Sequence, residues 1–174
     1  WSSLLLLVLA MVSFGVMQAF TSFVFNPGAV LEVSIVSEIV KFLLLWCGWV
    51  VSNYLISAIY RGEGRLRDVA YSGAYAMFPF IVIGLPLTLI SNVMTLSEDA
   101  IFGFLKTGMY VWIALLVFWK VQAMQNYSIR ETAANIVMSL LTMMMLGALI
   151  FITFGLSSEM KDFFYSIYQE VIVR

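Results

Sequence analysis

The chain has 174 residues, 63% hydrophobic and only 11% charged, with a net charge of −1 and a mean hydropathy of +1.00. A soluble domain of this size cannot hide that much apolar surface, and the near-neutral charge argues against nucleic acid as a partner. There is no histidine and a single cysteine, which excludes an internal disulfide and removes the commonest general base and most zinc sites.

A hydrocarbon core ~30 Å thick takes roughly 20 helical residues per crossing. Five apolar runs reach that length: Leu4–Phe25, Ser34–Tyr60, Asp68–Thr95, Ile101–Ala123 and Glu131–Leu156. They predict an all-α integral membrane protein with five transmembrane helices. The first run lacks a basic segment before it and is too long for a signal-peptide core, so it counts as a span. The chain begins at Trp1 rather than Met, so a preceding segment is expected.

In span two, Glu38 and Lys41 share a helix face and form a candidate intramembrane polar pair. Each is costly in hydrocarbon unless paired or wet. Cys47, beside Trp46 and Gly48, is expected to be a small buried apolar residue. In span three, Pro79 removes a backbone donor near the midplane, and Pro79 and Pro86 are expected to kink the helix. Tyr71 and Tyr75 mark a candidate cavity or packing face, and Ala70, Gly73, Ala74 and Ala76 invite close helix approach. Gln18, Asn53, Asn92, Asn135 and Thr142 are candidates for hydrogen bonds between helices.

The last stretch differs. Phe163, Phe164, Ile167, Tyr168, Val171 and Ile172 recur at helical spacing among Glu159, Lys161, Asp162, Gln169 and Glu170. That pattern predicts a C-terminal amphipathic helix that lies on the interface or docks on a partner. The expected division is a five-span domain over 1–157 and a docking or interfacial helix over 158–174.

Basic residues predict orientation. Arg61, Arg65 and Arg67 crowd the loop after span two, and Lys120 and Arg130 flank the loop after span four. The loops Asn26–Glu32 and Leu96–Asp99 have none. The N-terminus is therefore expected in the cytoplasm and the C-terminus outside, with Arg61, Arg65, Arg67 and Arg130 as topology anchors. Both cytoplasmic helix starts read apolar, Arg, acid, x, Ala: Leu66-Arg67-Asp68-Val69-Ala70 and Ile129-Arg130-Glu131-Thr132-Ala133. Asp68 and Glu131 are helix-start acids that complement the positive helix end, and Ser128 with Glu131 makes a capping box. The shared pattern suggests a weak repeat of two hairpins after span one, against the plain alternative that any such helix start favours these residues.

No Walker loop, nucleophile elbow, dinucleotide fingerprint or metal motif occurs. With neither catalytic constellation nor metal ligands, the expectation is a protein that is not an enzyme and has no cofactor.

The segments Arg61–Asp68, Ala74-Tyr75-Ala76-Met77-Phe78-Pro79 and Asn126–Ala133, with the number and order of spans, resemble the Yip domain family of five-span Ypt/Rab-interacting-like membrane proteins, in its bacterial branch. The resemblance covers about Leu4 to Leu156. It implies five helices and a cytoplasmic N-terminus. Eukaryotic relatives imply vesicle traffic through a cytosolic N-terminal region that this sequence lacks, so a Rab-binding role is not carried over. Bacterial relatives imply companionship with transport systems, including carbohydrate importers.

These readings together predict a non-enzymatic accessory or scaffold subunit of a membrane complex in the bacterial plasma membrane. Its partners would be the lipid bilayer, other membrane proteins such as the permease or ATPase subunits of an ABC transporter, or a second copy of the chain. The alternatives are a stand-alone transporter, channel, lipid-handling or bilayer-shaping protein, and a eukaryotic endomembrane location.

Overall fold

The computed structural model describes the backbone of residues 2–22, 25 and 34–172, without side chains at 158, 162–164 and 166–172. The described residues form helices joined by short turns and loops, with no strand among them. Five helical stretches are long and apolar enough to cross a membrane: Ser2–Phe20, Ile35–Ile59, Leu66–Ser91, Leu96–Gln125 and Ile129–Lys161. They are compatible with a multi-pass membrane protein.

The first two spans are single helices, α1 (Ser2–Phe20) and α2 (Ile35–Ile59). The third is broken into α3 (Leu66–Ala76), a wide π-helical turn over Phe80–Gly84, and α4 (Leu85–Ser91). Pro79 has no N–H to give to the preceding turn, so the α ladder stops before it and resumes with the wider winding. Pro86 falls in the first turn of α4. The helical winding runs on from the π turn through it, with Gly84 and Leu85 both in the right-handed helical region. A short 3₁₀ turn, Leu96–Glu98, leads into α5 (Asp99–Gln125), and α6 covers Ile129–Ile172.

Helix α6 has 44 residues, about 66 Å at 1.5 Å per residue, roughly twice the hydrocarbon thickness. The expected division at 157–158 carries no backbone break. No proline lies in this stretch and no glycine takes a positive φ, so nothing caps the helix where the apolar run ends. The tail residues Phe163, Phe164, Ile167, Tyr168 and Val171 lie outside the described side chains.

Helix α1 packs between α2 and the third span, α2 packs on α6, and α3 packs on α5. Burying apolar surface against lipid-like neighbours gives little driving force, so close packing and polar contacts hold such a bundle. The core shows both. Phe14, Phe42, Phe80 and Tyr110 bring four elements together through ring contacts at 5.2–6.0 Å, beside the buried side chains of Ala10, Met17 and Met109. Gly84 lets the π turn approach this cluster: a Cβ there would lie 3.4 Å from the Met17 sulfur. Gly73 does the same for α3, where a Cβ would lie 3.3 Å from the Trp46 indole nitrogen, while Ala74 and Ala76 are buried beside it.

Candidate functional site

The chemistry-bearing part of the molecule is the end that carries the loops at 60–65 and 126–128. Both loops leave their helices in the same way. Arg61 and Asn126 each take a left-handed φ of 55°, and the next residue closes a Schellman turn: Gly62 N donates to Ser57 O at 2.8 Å and Tyr127 N to Gln122 O at 3.1 Å. Both following helices also start alike. Asp68 Oδ2 accepts from Arg65 N at 3.0 Å, and Glu131 Oε2 accepts from Ser128 N at 2.9 Å and from Ser128 Oγ at 2.8 Å. These bonds satisfy N–H groups that a helix start leaves unpaired. Arg61, Arg65, Arg67 and Arg130 are all exposed at this end.

The two loops are locked together. Gln125 is 2% exposed, and its Oε1 accepts from Gly64 N at 2.8 Å. The Tyr127 hydroxyl donates to Ser57 O at 3.3 Å. Burial lifts the Tyr127 phenol above its ordinary pKa, the Ser57 contact partly opposes this, and the nearby Glu131 carboxylate adds to it. The phenol therefore keeps its proton at neutral pH.

One turn further in, a polar clasp joins α2 to α6. Asn53 and Ser57 lie four apart on α2, and Asn135 and Ser139 lie four apart on α6, so each pair shares a helix face. Asn53 Nδ2 donates to Asn135 Oδ1 at 2.8 Å and to Ser139 Oγ at 3.2 Å. Asn135 Nδ2 donates to Ser57 Oγ at 3.2 Å. All four side chains are 1% exposed or less. With both amide hydrogens of Asn53 turned to α6, its Oδ1 has no partner among the described residues.

Asn53 also walls a small cavity of about 10 Å³, with Ser72, Gly73, Trp49, Val117 and Lys120. That is room for about one water or one hydroxyl. Lys120 reaches over the Tyr75 ring, 5.4 Å from its centroid. Tyr71 and Tyr75 are partly exposed and do not line this cavity; the opposite face of α3, Ser72, Gly73 and Ala76, does. The Tyr75 hydroxyl instead meets Ser2 Oγ at 3.0 Å.

At the other end, Lys41 Nζ lies 2.6 Å from Glu38 Oε1, with Glu38 13% and Lys41 65% exposed. The two meet each other in the first turns of α2 and join no other charged group among the described residues. Asn92 Nδ2 crosses to Phe20 O at 3.0 Å, whereas Thr142 bonds only within its own helix, to Met138 O. Cys47 is exposed on the outer surface of α2, not buried as expected. A thiol facing lipid loses little, so helix rotation is set by the large residues around it.

Among the described residues no group of three or more His, Cys, Asp or Glu is placed to hold a metal ion. No family model, curated protein or solved structure matches the chain.

Proposed function

We propose that the chain is a non-enzymatic accessory or scaffold subunit of a membrane complex, of the Yip-domain type, placed in a bacterial plasma membrane with its arginine-rich loops in the cytoplasm. The observation that carries this reading is the long surface of the last two spans that none of the described residues covers. Every residue from Gly147 to Ser157 is exposed. A Cβ added at Gly103, Gly108, Gly147 or Gly155 would meet nothing within 4 Å. Glycine weakens a helix interior by about 1 kcal/mol relative to Ala, so four glycines on open helix surface cost stability unless a neighbouring helix uses the close approach they allow. The Asn53–Asn135 clasp and the contacts of Gln125 and Tyr127 tie helices and loops to one another, which suits a rigid scaffold.

The test is affinity purification from native membranes in mild detergent, for the native chain and for Gly147→Leu/Gly155→Leu. Stoichiometric recovery of permease or ATPase subunits with the native chain, lost in the variant, is expected. The variant should fold, because both added side chains point into open space. Recovery of the native chain alone, or with lipid only, would remove the scaffold reading. A lipid-handling role is the second reading, favoured by an apolar crevice of about 400 Å³ that shares Trp49 and Val117 with the polar cavity.

A further inference from the structure

The geometry points to a specific phospholipid site between α2, α3 and α5, taking an anionic lipid whose headgroup carries a hydroxyl. Three observations converge. Asn53 Oδ1 is a fully buried acceptor without a partner among the described residues; the clasp uses the amide nitrogen, and Asn53 is part of the cavity wall. A buried acceptor of this kind demands a donor. Lys120 lines the same cavity and carries its charge without a carboxylate, since the ion pair formed among the described residues is Lys41 with Glu38. An ammonium beside a cavity that asks for a hydroxyl is complementary to a phosphate bearing a polyol.

The third observation is the crevice that adjoins the cavity. It has a volume of about 400 Å³ and is walled by Met77, Ala114, Phe118 and Leu140, with Trp49 and Val117 shared with the polar cavity. Lys120 and Asn53 lie five and six residues from the ends of their helices, a depth of about 7–9 Å, where headgroups give way to acyl chains. Trp49, Ala114 and Phe118 come from positions deeper along the same helices. Polar cavity outside and apolar crevice inside is the order in which a phospholipid lies in its leaflet. The headgroup hydroxyl would donate to Asn53 Oδ1, the phosphate would meet Lys120, and an acyl chain would lie along Trp49 and Phe118.

Native mass spectrometry of the full chain in detergent tests the site, with lipids of identical acyl chains. Phosphatidylglycerol should be retained about fivefold more strongly than phosphatidylcholine, the effect of one interfacial lysine. Lys120→Gln, at an exposed position, should abolish that preference. Ala114→Phe, which fills the crevice, should weaken retention of both lipids. Phosphatidylethanol, anionic but without a headgroup hydroxyl, should bind more weakly than phosphatidylglycerol, and equal binding of the two would overturn the contact to Asn53. Equal retention of phosphatidylglycerol and phosphatidylcholine, or a preference unchanged in Lys120→Gln, would overturn the site. Displacement of the lipid by inorganic phosphate at equal concentration would make it a site for the free anion instead.

Discussion

Asn135→Leu is expected to destabilise the bundle by about 2–3 kcal/mol, more than the bonds it removes are worth. A hydrogen bond between membrane helices contributes only ~0.6–2 kcal/mol. The larger effect comes from what is stranded. Asn135 Oδ1 accepts from Asn53, and its Nδ2 donates to Ser57. Both partners are buried to within 1%, so neither can turn to water, and Asn53 keeps only its weaker contact with Ser139 Oγ at 3.2 Å. Replacing both amides removes the stranded Asn53 amide along with the bond, and leaves the Ser57 and Ser139 hydroxyls to turn to carbonyls of their own helices. Asn53→Leu/Asn135→Leu should therefore fall within about 1 kcal/mol of the native chain. Reversible unfolding in mixed micelles of the native chain, the two single variants and the double variant closes the thermodynamic cycle. A double variant as unstable as the sum of the singles would show that the two amides do not act as one clasp.

The five spans were legible because bilayer thickness imposes a length that composition reveals directly. Expected and observed limits agree within a few residues, as for Ser34–Tyr60 against Ile35–Ile59. The capping contact of Ser128 with Glu131 was legible for a different reason: its partners are three residues apart, and helix geometry brings them together. The clasp was only half legible. Asn53 and Asn135 stood out as polar residues inside apolar runs, but they are 82 positions apart, and nothing local pairs them. The available signal was the matched spacing of Asn53 with Ser57 and Asn135 with Ser139. Rotation of the helices was the least legible feature. In a soluble protein aromatic residues point inward, but lipid imposes no such penalty, so Tyr71, Tyr75 and Cys47 face outward while Ser72 and Gly73 line the interior. The end of α6 was hidden for a related reason. Composition shows where hydrocarbon should stop, yet a helix without a capping glycine or proline continues past that point.

Gly62→Ala should cost about 1–3 kcal/mol and unlock the two basic loops from each other. The reason is not the backbone, since no glycine here takes a positive φ and the left-handed position belongs to Arg61. The reason is space. A Cβ at Gly62 would lie 2.6 Å from the Tyr127 hydroxyl and inside contact distance of Gln125 Oε1. Either atom could swing away from an exposed site, but Gln125 is held by Gly64 N at 2.8 Å and is 2% exposed. To admit one methyl group, the side chain must release Gly64 N and press Tyr127 off Ser57 O. The loss then travels along the Schellman turn into Ser57, whose hydroxyl belongs to the clasp with Asn135. Gly62→Ala and Gln125→Ala should consequently be non-additive, because a shortened residue at 125 relieves the clash while giving up the same bond. Proteolysis at the 60–65 loop, followed on sealed vesicles together with the unfolding midpoint, measures the effect. Faster cleavage in Gly62→Ala and its partial rescue in Gly62→Ala/Gln125→Ala are expected; a native cleavage rate in the single variant would mean that the loops are not coupled through Gln125.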